Sequence, residues 1–147
     1  MSALVTIPAN FSELFKKLFG KEIGISCTQG QKIYCGILHD VYPKGIILQV
    51  KGFYRNLPFN TISSLTLSAA DNYSPESTFP HISTKLFQKY QKFLNKKVTI
   101  VRKDNNAWNE NGEIKYIGED YFVILNHDDN VLIYVNAEVD FEIIISP

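Results

Sequence analysis

Two stretches of the chain carry large apolar side chains at helical spacing. Leu86, Phe87, Tyr90, Phe93 and Leu94 recur at i, i+1, i+4, i+7 and i+8, with Lys85, Lys89, Lys92 and Lys96 on the polar side. That pattern predicts a short amphipathic helix whose apolar stripe must cover something. Phe11, Leu14, Phe15, Leu18 and Phe19 repeat it near the start of the chain. Ser83 or Thr84 can cap the later helix, and Asn10 or Ser12 the earlier one. Gly20 and Asn95 stand where a left-handed residue ends a helix. After each helix the pattern changes to short runs rich in β-branched and aromatic residues. These cover residues 23–27, 33–41, 45–50, 54–59 and 62–67, then 98–102, 112–117, 121–126, 131–135 and 139–145. The turn signals GQK, PKG, KGF, NENG, GED and HDDN separate them, so each helix leads five short strands. A unit of about 60 residues has a thin core, so a bent five-stranded barrel lidded by its helix is the expected way to bury enough apolar surface. Gly36 and Gly112 mark a sharp strand bend that a side chain would obstruct.

The two halves are related. Phe11-Ser-Glu-Leu-Phe-Lys-Lys-Leu-Phe19, followed by GKEIGISC, corresponds to Leu86-Phe-Gln-Lys-Tyr-Gln-Lys-Phe-Leu94, followed by NKKVTIVR, at an offset of 75. At an offset of 76, Gly36-Ile-Leu-His-Asp-Val41 aligns with Gly112-Glu-Ile-Lys-Tyr-Ile117, and Ile46-Ile-Leu48 with Phe122-Val-Ile124. Leu57-Pro-Phe-Asn60 follows with Ile133-Tyr-Val-Asn136 at the same offset. Internal repetition of this kind divides the chain into two helix-plus-barrel units, residues 1–67 and 84–147. Residues 68–83, polar and carrying Pro75 and Pro80, form the expected linker.

Composition narrows the function more than the fold. At 45% hydrophobic and 20% charged residues the chain should fold, and its formal net charge of zero removes any whole-molecule attraction to nucleic acid or an anionic membrane. The charge is uneven, near +3 for residues 1–73 and near −3 for residues 74–147, which favours docking between units or head-to-tail association of copies. The opening MSALVTIPANFSELF has no basic n-region or extended apolar core, and no apolar run approaches the roughly 20 residues that cross a bilayer. A chain without export signal or membrane span is expected. Cys27 and Cys35 lack CxxC spacing; they are expected to be reduced structural thiols, with a disulfide across a 28–32 hairpin as the alternative. His39, His81 and His127 are scattered, so no metal site is expected. GxSxG, GxxxxGK[ST] and HExxH are all missing, and the neighbouring carboxylates Glu119-Asp120 and Asp128-Asp129 fit solvated hairpin tips better than an acid/base pair. The expectation is no enzyme, no cofactor and no metal.

Two features could bind a partner. Lys89, Lys92, Lys96, Lys97, Arg102 and Lys103, interleaved with Tyr90 and Phe93, form a basic, aromatic stretch able to hold phosphates and stack bases. The plainer reading is a solvated helix face beside core aromatics. Trp108, the only tryptophan, lies in the Asn-rich loop 104–112 and suits either an interface anchor or a residue folded back on its own barrel.

Helix plus five bent strands resembles the Sm-like or SH3-like barrel, and GEIKYIGEDYFVIL, from Gly112 to Leu125, is similar to the G-x-h-x-x-h-x-x-D-x-h-x-h-x region of such proteins. The Sm RNA-binding signatures differ: Glu119-Asp-Tyr-Phe replaces Asp-x-x-Met-Asn, and Val135-Asn136 replaces Arg-Gly. The second unit also resembles the repeated modules of the Bacillus spore coat protein B family. The features that carry this are the helix followed by KKVTIV, the loop KDNNAWNENG, IGEDY and IYVNAEV. The resemblance implies a mainly β, non-enzymatic spore coat component that packs with other coat proteins or copies of itself. Cross-linking through tyrosines such as Tyr34, Tyr42, Tyr54 and Tyr73, or through Gln88, Lys89, Gln91 and Lys92, would suit that role. The runner-up is an Sm-like RNA-binding protein of the cytoplasm, and a weaker third reading is an adaptor that grips a peptide by strand addition.

Overall fold

A computed structural model of the chain describes residues 10–27, 33–72, 84–102, 109–138 and 141–145. The first half contains α1 (Phe11–Phe15), β1 (Glu22–Cys27), β2 (Ile33–Tyr42), β3 (Gly45–Val50), β4 (Phe53–Pro58), a 3-10 turn (Phe59–Thr61) and β5 (Ile62–Ser68). A short α2 (Ala69–Asn72) follows. The second half contains α3 (Lys85–Tyr90) running into a 3-10 turn (Gln91–Phe93), then β6 (Lys97–Arg102), β7 (Asn109–Ile117), β8 (Tyr121–Asn126), β9 (Val131–Asn136) and β10 (Phe141–Ile145). The molecule is mainly β, and each expected strand run has its counterpart. The helices are shorter than their apolar stripes. Asn10 and Thr84 are their N-caps, accepting from the backbone of Glu13 and Phe87, and Gly20 and Asn95 take the left-handed conformation at φ 75° and 65°. Ser68 and Ala69 depart from the linker reading: Ser68 completes β5, and buried Ala69 donates its N–H to the Asn130 carbonyl at 2.9 Å.

The strands differ from two detached barrels. All ten form one open antiparallel sheet in the order β10-β6-β7-β8-β9-β5-β1-β2-β3-β4. The halves meet where β5 pairs with β9, from Ser64 opposite Val135 to Ser68 opposite Val131. Such pairing satisfies backbone groups that each half alone would leave as an edge.

The repeat is visible in the hydrogen bonds. Gly20 N–H donates to Leu38 C=O and Leu38 N–H to Lys21 C=O; Asn95, Ile114 and Lys96 repeat the pair at matching positions. Both second strands of a half carry an irregularity at the same place, between Leu38 and Asp40 in β2 and between Ile114 and Tyr116 in β7. A Cβ on Gly36 would strike the Gln49 carbonyl, and one on Gly112 would strike the Leu125 carbonyl, its equivalent at an offset of 76. One block of the sequence alignment needs correction. Ile46 faces Leu57, and its equivalent Phe122 faces Val135, so Leu57 corresponds to Val135 and the offset there is 78. The cause is turn length: β3 and β4 are joined by Lys51-Gly52 alone, at φ 49° and 84°, whereas β8 and β9 are joined by residues 127–130.

Burial ties the halves together. One core cluster holds Val98, Ile100, Ile114, Phe122, Ile124, Ile133 and Val135 under the α3 stripe, with Tyr90 edge-on to Phe122. The other holds Phe11, Leu14, Phe15 and the inward residues of β1 to β5, and it extends over Tyr116, Tyr121, Val123, Leu125, Leu132 and Tyr134 of the second half. Strands β8 and β9 therefore contribute alternate side chains to two cores.

Candidate functional site

The sheet has two ends, β4 and β10, and both present apolar side chains to solvent. Phe53 and Tyr54 on β4 are 71% and 61% exposed, and Ile144 and Ile145 on β10 are 48% and 47% exposed. In the paired strands at the centre of the sheet, the equivalents Leu132 and Leu67 are buried and Val131 and Thr66 half-buried. Arg55 is exposed on β4, with its guanidinium over the Tyr34 ring, and Glu142 is exposed on β10.

The basic face lies elsewhere. Lys89, Lys92, Lys96 and Lys97 are all exposed along α3 and the segment that follows it. The first two sit over the rings of Tyr90 and Phe93, at 5.3 and 5.2 Å. Those rings belong to the core: Tyr90 also packs against Phe141 at 5.8 Å. Both rings are half-buried, so they offer bases less open stacking surface than exposed aromatics would. Arg102 is described only as a backbone position of β6 opposite Phe141, and Lys103, Trp108 and Tyr73 lie outside the described residues. Of the other residues considered for cross-linking, Gln88 and Gln91 are exposed while Tyr34 and Tyr42 are half-buried. Cys27 and Cys35 are not joined in a disulfide; Cys35 faces Gly24 in the ladder and Cys27 faces Ile62, so register keeps them apart.

The inter-half contact contains a carboxylate that sequence reasoning placed at a solvated tip. Asp120 is half-buried, and its Oδ1 accepts the backbone N–H of Phe11, the first residue of α1, at 2.7 Å. Asn136 adds a buried clamp, its Nδ2 donating to Ile62 C=O at 2.9 Å across the join. Only the spatial arrangement of α1 against the β7–β8 turn reveals the role of Asp120, since its partner is 109 residues away. Burial, opposed by the Phe11 N–H and reinforced by Glu138 and Glu119, raises the Asp120 carboxyl above its ordinary value of 3.8. The folded state therefore holds this proton more tightly than the unfolded chain. Stability contributed by the protonated group is full below 3.8 and is lost as pH rises through the raised folded value. Asp120→Asn, which keeps an acceptor without the charge, is expected to match wild type below that window and to be equally or more stable at pH 7. Asp120→Ala, which orphans the N–H, is expected to cost about 1–2 kcal/mol at either pH. Urea denaturation at pH 3.5 and 7 checks both, and an Asn variant weaker than wild type only at pH 7 would contradict the sign.

Tyr121 and Tyr134 are also raised by burial, Tyr134 to about 12, so both remain neutral core residues. A shallow groove lined by Phe11, Phe59, Asp120, Asn136 and Glu138 runs over the same join. Within that lining, Asp120 already accepts from Phe11 N–H and Asn136 donates to Ile62 C=O. Among the described residues, no group of three or more His, Cys, Asp or Glu is placed to hold a metal ion, and no helix is long and apolar enough to cross a membrane. Compared with family models, curated proteins and solved structures, the chain matches none.

Proposed function

We propose that this chain is a non-enzymatic structural protein of the bacterial spore coat, built from two tandem Sm-like modules and acting through protein–protein contacts. The observation that carries the assembly part is that both terminal strands expose large apolar side chains, Phe53 and Tyr54 at one end and Ile144 and Ile145 at the other; Phe19 and, on β2, Ile33 and Ile37 are exposed as well. Natural sheets usually blunt such edges with charge, proline or a covering element, because unpaired N–H and C=O groups recruit other strands. Here Arg55 and Glu142 are the charged residues on these strands, and Pro58 stands only at the end of β4. The coat location rests on the KKVTIV, IGEDY and IYVNAEV segments that resemble spore coat protein B modules. Exposed Tyr54, Gln88, Lys89, Gln91 and Lys92 suit covalent locking of a finished layer. A fluorescently tagged copy in sporulating cells is expected to form a shell at the spore surface and to co-purify with coat proteins. Diffuse cytosolic signal throughout sporulation would overturn the location.

The exposed run Lys89, Lys92, Lys96 and Lys97 favours a second reading, RNA binding through phosphate contacts. That reading requires salt-dependent affinity for single-stranded RNA, lost on replacing these lysines with glutamine. No binding at low salt removes it.

A further inference from the structure

We infer that copies of this chain join head to tail, β10 of one molecule pairing antiparallel with β4 of the next in the register of the internal β5–β9 join. The inference rests on the assembly reading above and names its partner, polarity and contact.

Thr66 lies opposite Gly24 and Ile144 opposite Thr99, so β10 is the second-half equivalent of β5 at an offset of 78. The same offset relates β4 to β9. The join inside the molecule therefore pairs the fifth strand of the first half with the fourth strand of the second. Among the described residues, what remains unpaired at the ends is the fourth strand of the first half and the fifth strand of the second. Each end is the complement of the other, and the chain already contains one built example of the contact. Moving Ser64–Val135 and Thr66–Ile133 by the repeat places Glu142 opposite Leu57 and Ile144 opposite Arg55.

This register has favourable chemistry. Arg55 and Glu142 fall on one face at diagonal positions, about 7–8 Å apart along the backbone and within reach of long side chains. Ile144 and Ile145 cover Arg55 and Tyr54, the positions whose β9 equivalents Ile133 and Leu132 are buried by β5. The net charges of the two halves, near +3 and −3, also attract in this polarity. Like-with-like pairing of two β4 or two β10 strands brings two Arg55 or two Glu142 side chains within two residues of each other, an arrangement that disfavours it. Because the two surfaces of the contact differ, it propagates into a ring or a filament according to the rotation per step.

The test uses the full chain and two blocked variants. Phe53→Lys with Tyr54→Lys puts a charge on each face of β4, and Ile144→Lys with Ile145→Lys does the same for β10. All four positions are exposed, and circular dichroism checks that the fold is kept. In sedimentation over a concentration series, wild type is expected to rise above the 16.8 kDa of one chain. Each blocked variant alone should stay at one chain, and an equal mixture should form two-chain species and stop. A wild type that stays at one chain, a blocked variant that still self-associates, or a mixture that stays single overturns the inference. If a lysine variant unfolds, Arg55→Glu and Glu142→Arg replace it: each alone should weaken association several-fold and the double variant should restore it. Loss of self-association with coat targeting intact would remove this contact and leave the proposed function; self-association without coat targeting would do the reverse.

Discussion

Replacing Tyr121 with alanine should cost about 3–5 kcal/mol and should loosen both halves of the molecule together. Tyr121 is fully buried at the start of β8, in the second half, yet its ring packs against Phe11 of α1 at 6.4 Å as well as Tyr116 at 5.8 Å and Tyr134 at 6.3 Å. Its removal opens a cavity under the first helix and against the second half's own strands. A loss of this size is a large share of the roughly 5–15 kcal/mol that holds a domain folded. Hydrogen exchange of Leu38 in β2 and Ile114 in β7 reads the coupling: both should lose protection to a similar extent. A loss confined to Ile114 would mean that the halves fold independently. Tyr121→Phe keeps the ring and should cost only about 1 kcal/mol, the scale of a hydroxyl contact.

That coupling also marks where the sequence stops being informative. The strands were legible because β-branched runs alternate with turn residues, and the helix ends because Asn10, Thr84, Gly20 and Asn95 each do a local job that needs no partner. The central join was not, since pairing of β5 with β9 depends on strands far apart in sequence. A signal for it was nonetheless present. Tyr121-Phe-Val-Ile-Leu125 and Val131-Leu-Ile-Tyr-Val135 are unbroken apolar runs, and a strand covered on only one face alternates instead. Their unbroken character is explained by the two cores that β8 and β9 separate. The role of Asp120 is hidden for a related reason: carboxylates at a turn signal are usually wet, and only the arrival of α1 from the other half makes this one half-buried and hydrogen-bonded. The alignment slip at Leu57 arose because a two-residue insertion in a turn leaves the apolar pattern of the following strand in phase, a period of two being blind to a shift of two.

The glycines at the strand bends give the sharpest check on the duplicated geometry. Gly112→Ala is expected to destabilise the protein by about 1–3 kcal/mol or more, because an added methyl group meets backbone and cannot be relieved by a rotamer change. The Leu125 carbonyl oxygen would lie 2.7 Å from the new carbon and its carbonyl carbon 3.0 Å, with the Ile124 side chain closer still. Relief requires β8 to move away from β7, which breaks the ladder that both cores share. Gly36→Ala should behave alike, since its methyl group would strike the Gln49 carbonyl and lie 3.0 Å from Val50 Cγ2. Gly24→Ala supplies the contrast within the same sheet: its nearest neighbour, Thr66 Cβ, is at 3.4 Å, an ordinary contact, and the backbone there is not left-handed. It should be nearly neutral, because alanine also lowers the entropy of the unfolded chain relative to glycine. Thermal or urea denaturation of the three variants separates the cases. Equal losses at all three positions would show that the cost lies in glycine replacement generally; a loss at Gly36 and Gly112 alone ties it to the close approach that both halves share.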